Sequence, residues 1–177
     1  MQTSELGKKM LRISEGCSLV APKANHRGGY LYVDNLGYCT FGIGHLVRKN
    51  DCTQEDKNKY VKKTWADVLS DFETILPEYE NYVKKHVKKP ITQTEFDAMV
   101  SFCFNVGEGN PTGDPRPGFA GSYFLIEFNK GNRNGNLLYN YKQNPNRRKT
   151  EVELFNTGKY TADGKDITNL KIACDGN

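Results

Sequence analysis

The stretch Leu11-Arg12-Ile13-Ser14-Glu15-Gly16 is followed further along the chain by Tyr32-Val33-Asp34-Asn35-Leu36-Gly37-Tyr38-Cys39-Thr40-Phe41-Gly42-Ile43-Gly44-His45. The first part predicts a helix that ends on a carboxylate, Glu15, because Gly16 is a natural helix stop. The second part predicts a β-hairpin that carries another carboxylate, Asp34, and a hydroxyl, Thr40. Hydrolysis of a glycosidic bond requires two carboxyl groups held across a gap. The pattern therefore indicates a site for glycoside cleavage.

Glu15 is expected in the last turn of a first helix that begins near Thr3 or Ser4, since both residue types cap helices well. One apolar face recurs at helical spacing: Leu6, Met10 and Ile13. The dipole at the end of a helix disfavours negative charge, which suits a carboxyl group that has to hold a proton for catalysis. The structural alternative is an exposed glutamate with no function.

The hairpin is predicted from two strands, residues 30–33 and 38–43, joined by the turn-forming run 34–37. Because side chains alternate along a strand, one face of the second strand is predicted to point into the core, with Cys39, Phe41 and Ile43. The other face is predicted to line a groove, with Tyr38, Thr40 and Gly42. Gly42 and Gly44 weaken a strand and suit a place where a ligand approaches the backbone. A phosphate-binding loop is a poor alternative, since no Lys-Ser/Thr pair follows these glycines.

The rest of the chain is predicted to be mainly helical. Helices are expected from Thr64 to residue 90 with an end or kink at Pro77, and then over 92–107, 121–130, 135–142 and 144–158. The segment 92–107 is apolar nearly all round, which indicates a central helix. Arg147 and Arg148 lie in the first turn of the last helix, where the dipole disfavours cations. We therefore expect a partner elsewhere, either an acid or a ligand, with a solvated arginine pair as the alternative.

The composition excludes several classes of protein. With 177 residues and 37% apolar residues the chain is long and apolar enough to bury a core, so a disordered chain is not expected. No apolar run reaches membrane-spanning length, and residues 1–5 do not have the pattern of a secretory leader. The formal net charge of +4 would fit an anionic partner such as a cell-wall polymer or nucleic acid, but it does not decide between them.

The five cysteines show no metal-binding spacing, and their odd number leaves at least one unpaired within the chain. We expect them to be buried thiols that act as small apolar groups. One disulfide is the alternative if the chain works outside the cytoplasm.

The catalytic segments resemble those of the phage-type lysozymes of glycoside hydrolase family 24. Three parts of the chain carry the resemblance, in the family's order: residues 11–16 with 32–45, residues 91–107, and residues 144–155. It implies an α+β, predominantly helical, lysozyme-like fold with two lobes, a small antiparallel β-sheet lobe and a helical lobe joined by a long helix. We expect one domain over residues 1–177, with boundaries at 1–63, 64–90 and 91–177.

The resemblance also implies the roles of individual residues. Glu15 would be the general acid, while Asp34 and Thr40 would position or activate the attacking water, usually with inversion at the sugar. Substrate contacts would come from Tyr32, Gly44, Asn105, Phe119 and Ser122. Supporting residues would be His45 paired with Asp71, and Arg147 facing Glu15. Neither a metal nor another cofactor is expected.

One departure from the family is large, because the segment between Glu15 and Asp34 is longer than in its other members. Asp34 and Thr40 keep the family spacing, and no other acidic residue lies between Glu15 and Asp34. We interpret the extra residues as a loop inserted before the hairpin, expected to be more mobile than the hairpin. The insertion bears on the position of Asp34 and leaves that of Glu15 unaffected.

The leading hypothesis is a muramidase that cuts the β-1,4 bond between N-acetylmuramic acid and N-acetylglucosamine. Its partner would be the bacterial peptidoglycan glycan strand, with no nucleic acid, and we expect a monomer. It would be made in a host cytoplasm and act on the cell wall after release by a separate system. A phage endolysin, a tail lysin and an antibacterial effector domain all fit. The alternatives are a catalytically impaired wall-binding or structural domain, a chitosanase-like hydrolase and a lytic transglycosylase.

Overall fold

Six α-helices and one 3₁₀ segment make up most of the part of the chain that the computed structural model describes, residues 1–17, 30–34, 36–112 and 117–172. The helices are α1 (Glu5–Ser14), α2 (Gln54–Tyr60), α3 (Trp65–His86), α4 (Gln93–Val106), α5 (Tyr123–Lys130) and α6 (Pro145–Thr157), and the 3₁₀ segment is Gly135–Asn140. None of these helices combines the length and apolar character needed to cross a membrane. The loop predicted to be mobile, 19–29, lies outside the described residues.

The strands are short and antiparallel. β1 (Leu31–Val33), β2 (Cys39–Phe41) and β3 (His45–Arg48) form one sheet in that order, while β4 (Thr161–Ala162) and β5 (Lys165–Asp166) form a separate hairpin. The fold class predicted from the sequence, α+β and predominantly helical with a small antiparallel sheet, is confirmed. The third strand of the sheet and the β4–β5 hairpin were not predicted.

The chain divides into two compact units. Unit 1 contains Met1–Ser14 and Leu76–Leu170, and unit 2 contains Glu15–Ile75 with the C-terminal residues from Lys171. α3 contributes residues to both units, because the division falls next to Pro77. The sequence analysis grouped the first helix with the β-sheet in residues 1–63. In the structure, α1 belongs to unit 1, together with the helices that follow Leu76.

Pro77 lies inside α3 and does not end the helix, contrary to one of the two outcomes expected for it. A proline inside a helix costs about 3 kcal/mol, so tertiary packing has to offset it. Buried side chains on both sides of the proline provide that packing, with Leu76 1% exposed and Val83 fully buried.

The core of unit 2 lies between the three-stranded sheet and two helices. Phe41 of β2 packs on Tyr60 of α2 with ring centroids 4.5 Å apart. Gly42, which follows β2, has φ +55°, and a side chain there would meet Val68 of α3 at 2.7 Å. The sequence suggested that Gly42 admits a ligand. The structure shows that its close neighbour is a helix of the protein itself.

The core of unit 1 is built around α4. Thr92 and Glu95 form a reciprocal capping box at its start, and every residue from 95 to 104 is buried. The central helix predicted over residues 92–107 is therefore confirmed. Asp97 is a buried residue of α4 and accepts hydrogen bonds from the hydroxyl groups of Ser4 and Tyr160. These bonds connect α4 to the start of α1 and to the segment before β4.

The cysteine prediction was wrong for part of the set. Cys39 and Cys52 form a disulfide, with their Cα atoms 4.8 Å apart, and Cys17 is also disulfide-bonded. Cys103 remains a buried free thiol, as expected. The spacing of the cysteines gave no sign of the Cys39–Cys52 bond, because it depends on β2 and the segment before α2 coming together in three dimensions.

Candidate active site

Glu15 follows α1 directly, one residue beyond the last helical turn in which the sequence placed it. Gly16 then adopts φ +95°, a conformation that favours glycine and ends the helix. The Glu15 side chain is half-buried. The carboxylate therefore stands where a helix terminates, in the first residue of unit 2.

Asp34 is held firmly by the turn between β1 and β2. Its Oδ1 accepts the backbone N–H groups of Leu36 at 2.8 Å and Tyr38 at 2.9 Å. Its own backbone N–H donates to the Tyr38 carbonyl at 2.9 Å. One oxygen thus fixes the turn and the orientation of the carboxylate, while Oδ2 makes no hydrogen bond to any other described residue.

Thr40 lies in the middle of β2, directly between Tyr32 of β1 and Leu46 of β3. Residues opposite each other in antiparallel strands share a face of the sheet. The Thr40 hydroxyl donates to the Tyr38 carbonyl at 3.3 Å, and the residue is only 4% exposed. The face of β2 that was predicted to line a groove is therefore covered at Thr40, whereas Cys39 and Phe41 are buried as predicted.

Tyr32 connects the two candidate carboxylates electrostatically. Burial raises the pKa of its hydroxyl to about 12, with smaller contributions from the negative charges of Glu15 and Asp34. The backbone of Gly44 acts in the opposite direction and lowers the pKa of this hydroxyl. Glu15 and Asp34 thus lie within electrostatic reach of one phenol, which remains neutral at physiological pH. The distance between the two carboxyl groups stays a prediction.

His45 and Asp71 are in contact, as expected. His45 Nδ1 lies 2.8 Å from Asp71 Oδ2 and 3.0 Å from Oδ1, and both side chains are about one quarter exposed. This contact joins the start of β3 to α3. The contact therefore holds β3, which follows Gly44, against α3, the helix that also packs on Gly42.

Three of the predicted substrate contacts belong to unit 1. Phe119 is fully buried, and Ser122, 1% exposed, caps α5 by accepting the N–H of Leu125 at 3.2 Å. Both side chains thus have a structural role, and their contact with sugar stays a prediction. Asn105, in the last turn of α4, is half-buried and holds a defined orientation through its contact with Arg148.

Arg147 and Arg148 have an acidic partner on their own helix. Arg147 Nε lies 3.1 Å from Glu151 Oε1, and Arg148 Nε lies 2.9 Å from Glu151 Oε2. All three side chains are buried, and Ser101 adds a hydrogen bond of 2.7 Å to the carboxylate. The solvated-pair alternative is therefore wrong. The predicted approach of Arg147 to Glu15 stays a prediction.

Within the described ranges, no group of three His, Cys, Asp or Glu side chains is placed to hold a metal ion. The arrangement that the structure does offer consists of carboxyl, hydroxyl and amide groups. It can donate and accept protons and can bind the polar groups of a sugar.

Comparison with known proteins places most of the chain in one family. The sequence model described as Phage lysozyme matches residues 26–162, a span that contains Asp34 and Thr40 and begins after Glu15. The endolysin of Bacillus phage PZA is 30% identical over 170 residues, which cover 89% of this chain and 56% of that protein. The endolysin of Salmonella phage P22 is 26% identical over 132 residues, covering 75% of this chain and 76% of that one.

Solved structures share the fold. An endolysin from Escherichia coli O157:H7 phage FAHEc1 has a TM-score of 0.66 at 24% identity, covering 91% of this chain and 97% of that chain. The muramidase domain of SpmX from Asticaccaulis excentricus has a TM-score of 0.58 at 26% identity, covering 88% and 98%. The lysozyme-like fold expected from the sequence is confirmed. The chain spans about half the length of the Bacillus phage relatives that it matches.

Proposed function

This chain belongs to the phage lysozyme family, and on that premise we propose that it is a peptidoglycan hydrolase. It cleaves the β-1,4 bond between N-acetylmuramic acid and N-acetylglucosamine in the glycan strand, and it acts as a monomer. Its site of action is the bacterial cell wall, outside the cytoplasm, after release by a separate system. The disulfide between Cys39 and Cys52 supports work in such an oxidising compartment.

The observation that carries the catalytic assignment is that two carboxyl groups stand in unit 2 at defined points of the backbone, Glu15 where α1 ends and Asp34 in the turn after β1. The pKa of Tyr32, which both negative charges help to raise, supports this assignment. Glu15 donates the proton to the leaving glycosidic oxygen. Asp34 keeps one oxygen on the turn and offers the other to a water molecule, which attacks the opposite face of the sugar.

The Thr40 hydroxyl assists in holding that water, and His45 with Asp71 keeps the end of the hairpin in place. An inverting reaction needs about 6.5–9.5 Å between the two carboxyl groups, so that one water molecule fits between the sugar and the base. Fresh product then appears as the α-anomer.

The test is the hydrolysis of purified peptidoglycan by Glu15→Gln and Asp34→Asn, with Glu5→Gln as the matched control. An amide cannot donate the proton to the leaving oxygen, so Glu15→Gln should lose nearly all activity while the fold is kept. Glu5 is an exposed residue in the first turn of α1, and its substitution should leave the rate unchanged.

A second candidate function, a wall-binding domain without catalysis, is favoured by the use of Asp34 Oδ1 in the turn and by the burial of Thr40. Binding of peptidoglycan by the wild-type protein without release of reducing ends would establish this function. Release of 1,6-anhydro ends would identify a lytic transglycosylase. Early β-anomer in the proton NMR spectrum would overturn the inverting mechanism.

A further inference from the structure

The side-chain amide of Asn105 has only one orientation that its surroundings allow. The atom that faces Arg148 lies 3.1 Å from Nη2, and Asn144 Nδ2 lies 3.4 Å from the same atom. A guanidinium group has five donors and no acceptor, so the atom that it contacts has to be the carbonyl oxygen Oδ1. The chemistry of the neighbouring guanidinium group therefore fixes the orientation of the amide.

This orientation leaves the N–H groups of Asn105 available. Nδ2 is the only polar atom of the side chain besides Oδ1, and it makes no hydrogen bond to another described residue. Asn105 is half-buried, so solvent or a ligand reaches it. Asn105 therefore presents donors and no acceptor to whatever binds there.

Arg148 is itself held in place by buried groups. It is 1% exposed, its Nη2 donates to Glu151 Oε1 at 3.0 Å, and its guanidinium lies over the Phe102 ring at 4.7 Å. Glu151 is fully buried and also accepts the Ser101 hydroxyl. Buried ion pairs often stabilise a fold little more than apolar residues of the same size, so a role in orientation is a better physical reason for this arrangement.

Asn144 supports the same arrangement from the start of α6. It adopts φ +55° at the N-cap position, and its side chain makes no capping hydrogen bond. Its amide contacts Asn105 Oδ1 and leaves the end of the helix uncapped. Two donors from α6 and the residue before it thus converge on a single acceptor at the end of α4.

We propose that Arg148 is a positioning residue that fixes Asn105 as a hydrogen-bond donor, and that this donor selects N-acetylated glycan over de-N-acetylated glycan. The inference rests on the proposed function. An acetamido group offers a strong carbonyl acceptor to Nδ2, whereas the amine of a de-N-acetylated sugar is an ammonium ion at neutral pH and offers only donors. Hydroxyl groups, which donate and accept, would not require a fixed orientation of the amide.

The decisive variant is Asn105→Asp, which has nearly the same shape. Its carboxylate still accepts from Arg148, so the contact that orders the side chain is kept and even strengthened. Its second oxygen accepts and cannot donate. On N-acetylated peptidoglycan we expect kcat/KM to fall about tenfold to a hundredfold, because the acetamido carbonyl of the substrate loses the hydrogen-bond donor Nδ2 of Asn105. On de-N-acetylated peptidoglycan the variant should exceed the wild-type protein, because a carboxylate attracts the ammonium group.

The matched control is Asn140→Asp, which introduces the same charge at an exposed position of the 3₁₀ segment in unit 1. It should leave the ratio of kcat/KM on the two substrates at the wild-type value. A changed ratio in this control would show that net charge, and not the Asn105 amide, sets the preference, and would overturn the proposal.

The role of Arg148 is tested by Arg148→Lys. In the wild-type protein Nη2 of Arg148 donates to both Asn105 and Glu151, while Nε lies 2.9 Å from the other Glu151 oxygen. Lysine keeps the charge beside Glu151, but its single nitrogen cannot occupy both of these positions. Arg148→Lys should lower the preference for N-acetylated substrate. When Arg148→Lys is combined with Asn105→Asp, it should change little the ratio of kcat/KM on the two substrates, because the donor that Arg148 positions is already absent. An equal loss on both substrates would show a structural role alone and would overturn the positioning role. If Arg148→Lys does not fold by circular dichroism, Asn105→Asp decides the proposal.

Two failures are distinguishable. A wild-type protein that releases no reducing ends from either substrate overturns the proposed function, and this inference with it. An active wild-type protein whose substrate ratio is unchanged in Asn105→Asp overturns the inference alone.

Discussion

Loss of the Cys39–Cys52 disulfide should destabilise unit 2 by about 3 kcal/mol, the value expected for release of a loop of roughly 15 residues in the unfolded chain. The two cysteines are 13 positions apart in the sequence. The bond fastens β2, which carries Thr40, to the segment before the N-cap of α2. Cys52→Ser should therefore loosen the hairpin and lower the rate of peptidoglycan hydrolysis as well as the free energy of unfolding.

A substitution is the right perturbation, because Cys17 is also disulfide-bonded and a reductant would cut that bond too. Trp65, the single tryptophan, lies in unit 2 with its ring 5.4 Å from that of Tyr30. Guanidinium unfolding followed by its fluorescence therefore reports on unit 2. In dithiothreitol the wild-type protein also lacks the bond, so the difference from Cys52→Ser should vanish. A difference below about 1 kcal/mol in oxidising buffer, or one that persists in reductant, would refute the reasoning.

Gly42→Ala should destabilise unit 2 by about 1–3 kcal/mol, because its methyl group would press on Val68 at 2.7 Å. The control is Gly37→Ala. Gly37 also has a positive φ, but a methyl group there would meet nothing within 4 Å, so this substitution should cost less. Equal losses in denaturant unfolding would show that backbone strain, and not the helix contact, explains the glycine. The hydrogen bond from Arg48 is the main cause that lowers the pKa of Asp56 to about 2 in the folded protein. The unfolded chain has a pKa of about 3.9 at this residue, so ionised Asp56 stabilises the fold above that pH. This stabilisation should be lost as the pH falls toward 2. In acid titrations monitored by circular dichroism, Arg48→Met should be less stable than wild type at pH 7, and a difference that stays constant down to pH 2 would contradict this linkage.

The sequence by itself determined the features that depend on neighbours along the chain. The capping box of Thr92 and Glu95, followed by an apolar segment, specifies α4 because both signals act within a few residues. The turn at Asp34 is specified in the same way, since its carboxylate bonds to backbone groups two and four residues later. The family resemblance then identified the candidate residues, including the contact between His45 and Asp71.

Several sequence predictions failed where a distant partner decides the structure. Gly42 suggested a place where a ligand approaches the backbone, yet a side chain there would meet Val68 of α3 at 2.7 Å. Of the two outcomes expected at Pro77, an end or a kink of the helix, the end is wrong: α3 continues because burial on both sides offsets the lost hydrogen bond. The pairing of Cys39 with Cys52 depends on how the sheet meets the segment before α2.

Only the tertiary structure decided how the polar groups of the candidate site are used. The sequence places Arg148 beside Arg147 but does not show that a buried Glu151 holds both, or that Arg148 orients Asn105 from a different helix. Local periodicity records which face of a helix is apolar. It carries no information about which buried donor meets which acceptor, because a buried polar group must find its partner wherever the packing of the chain brings one within about 3 Å.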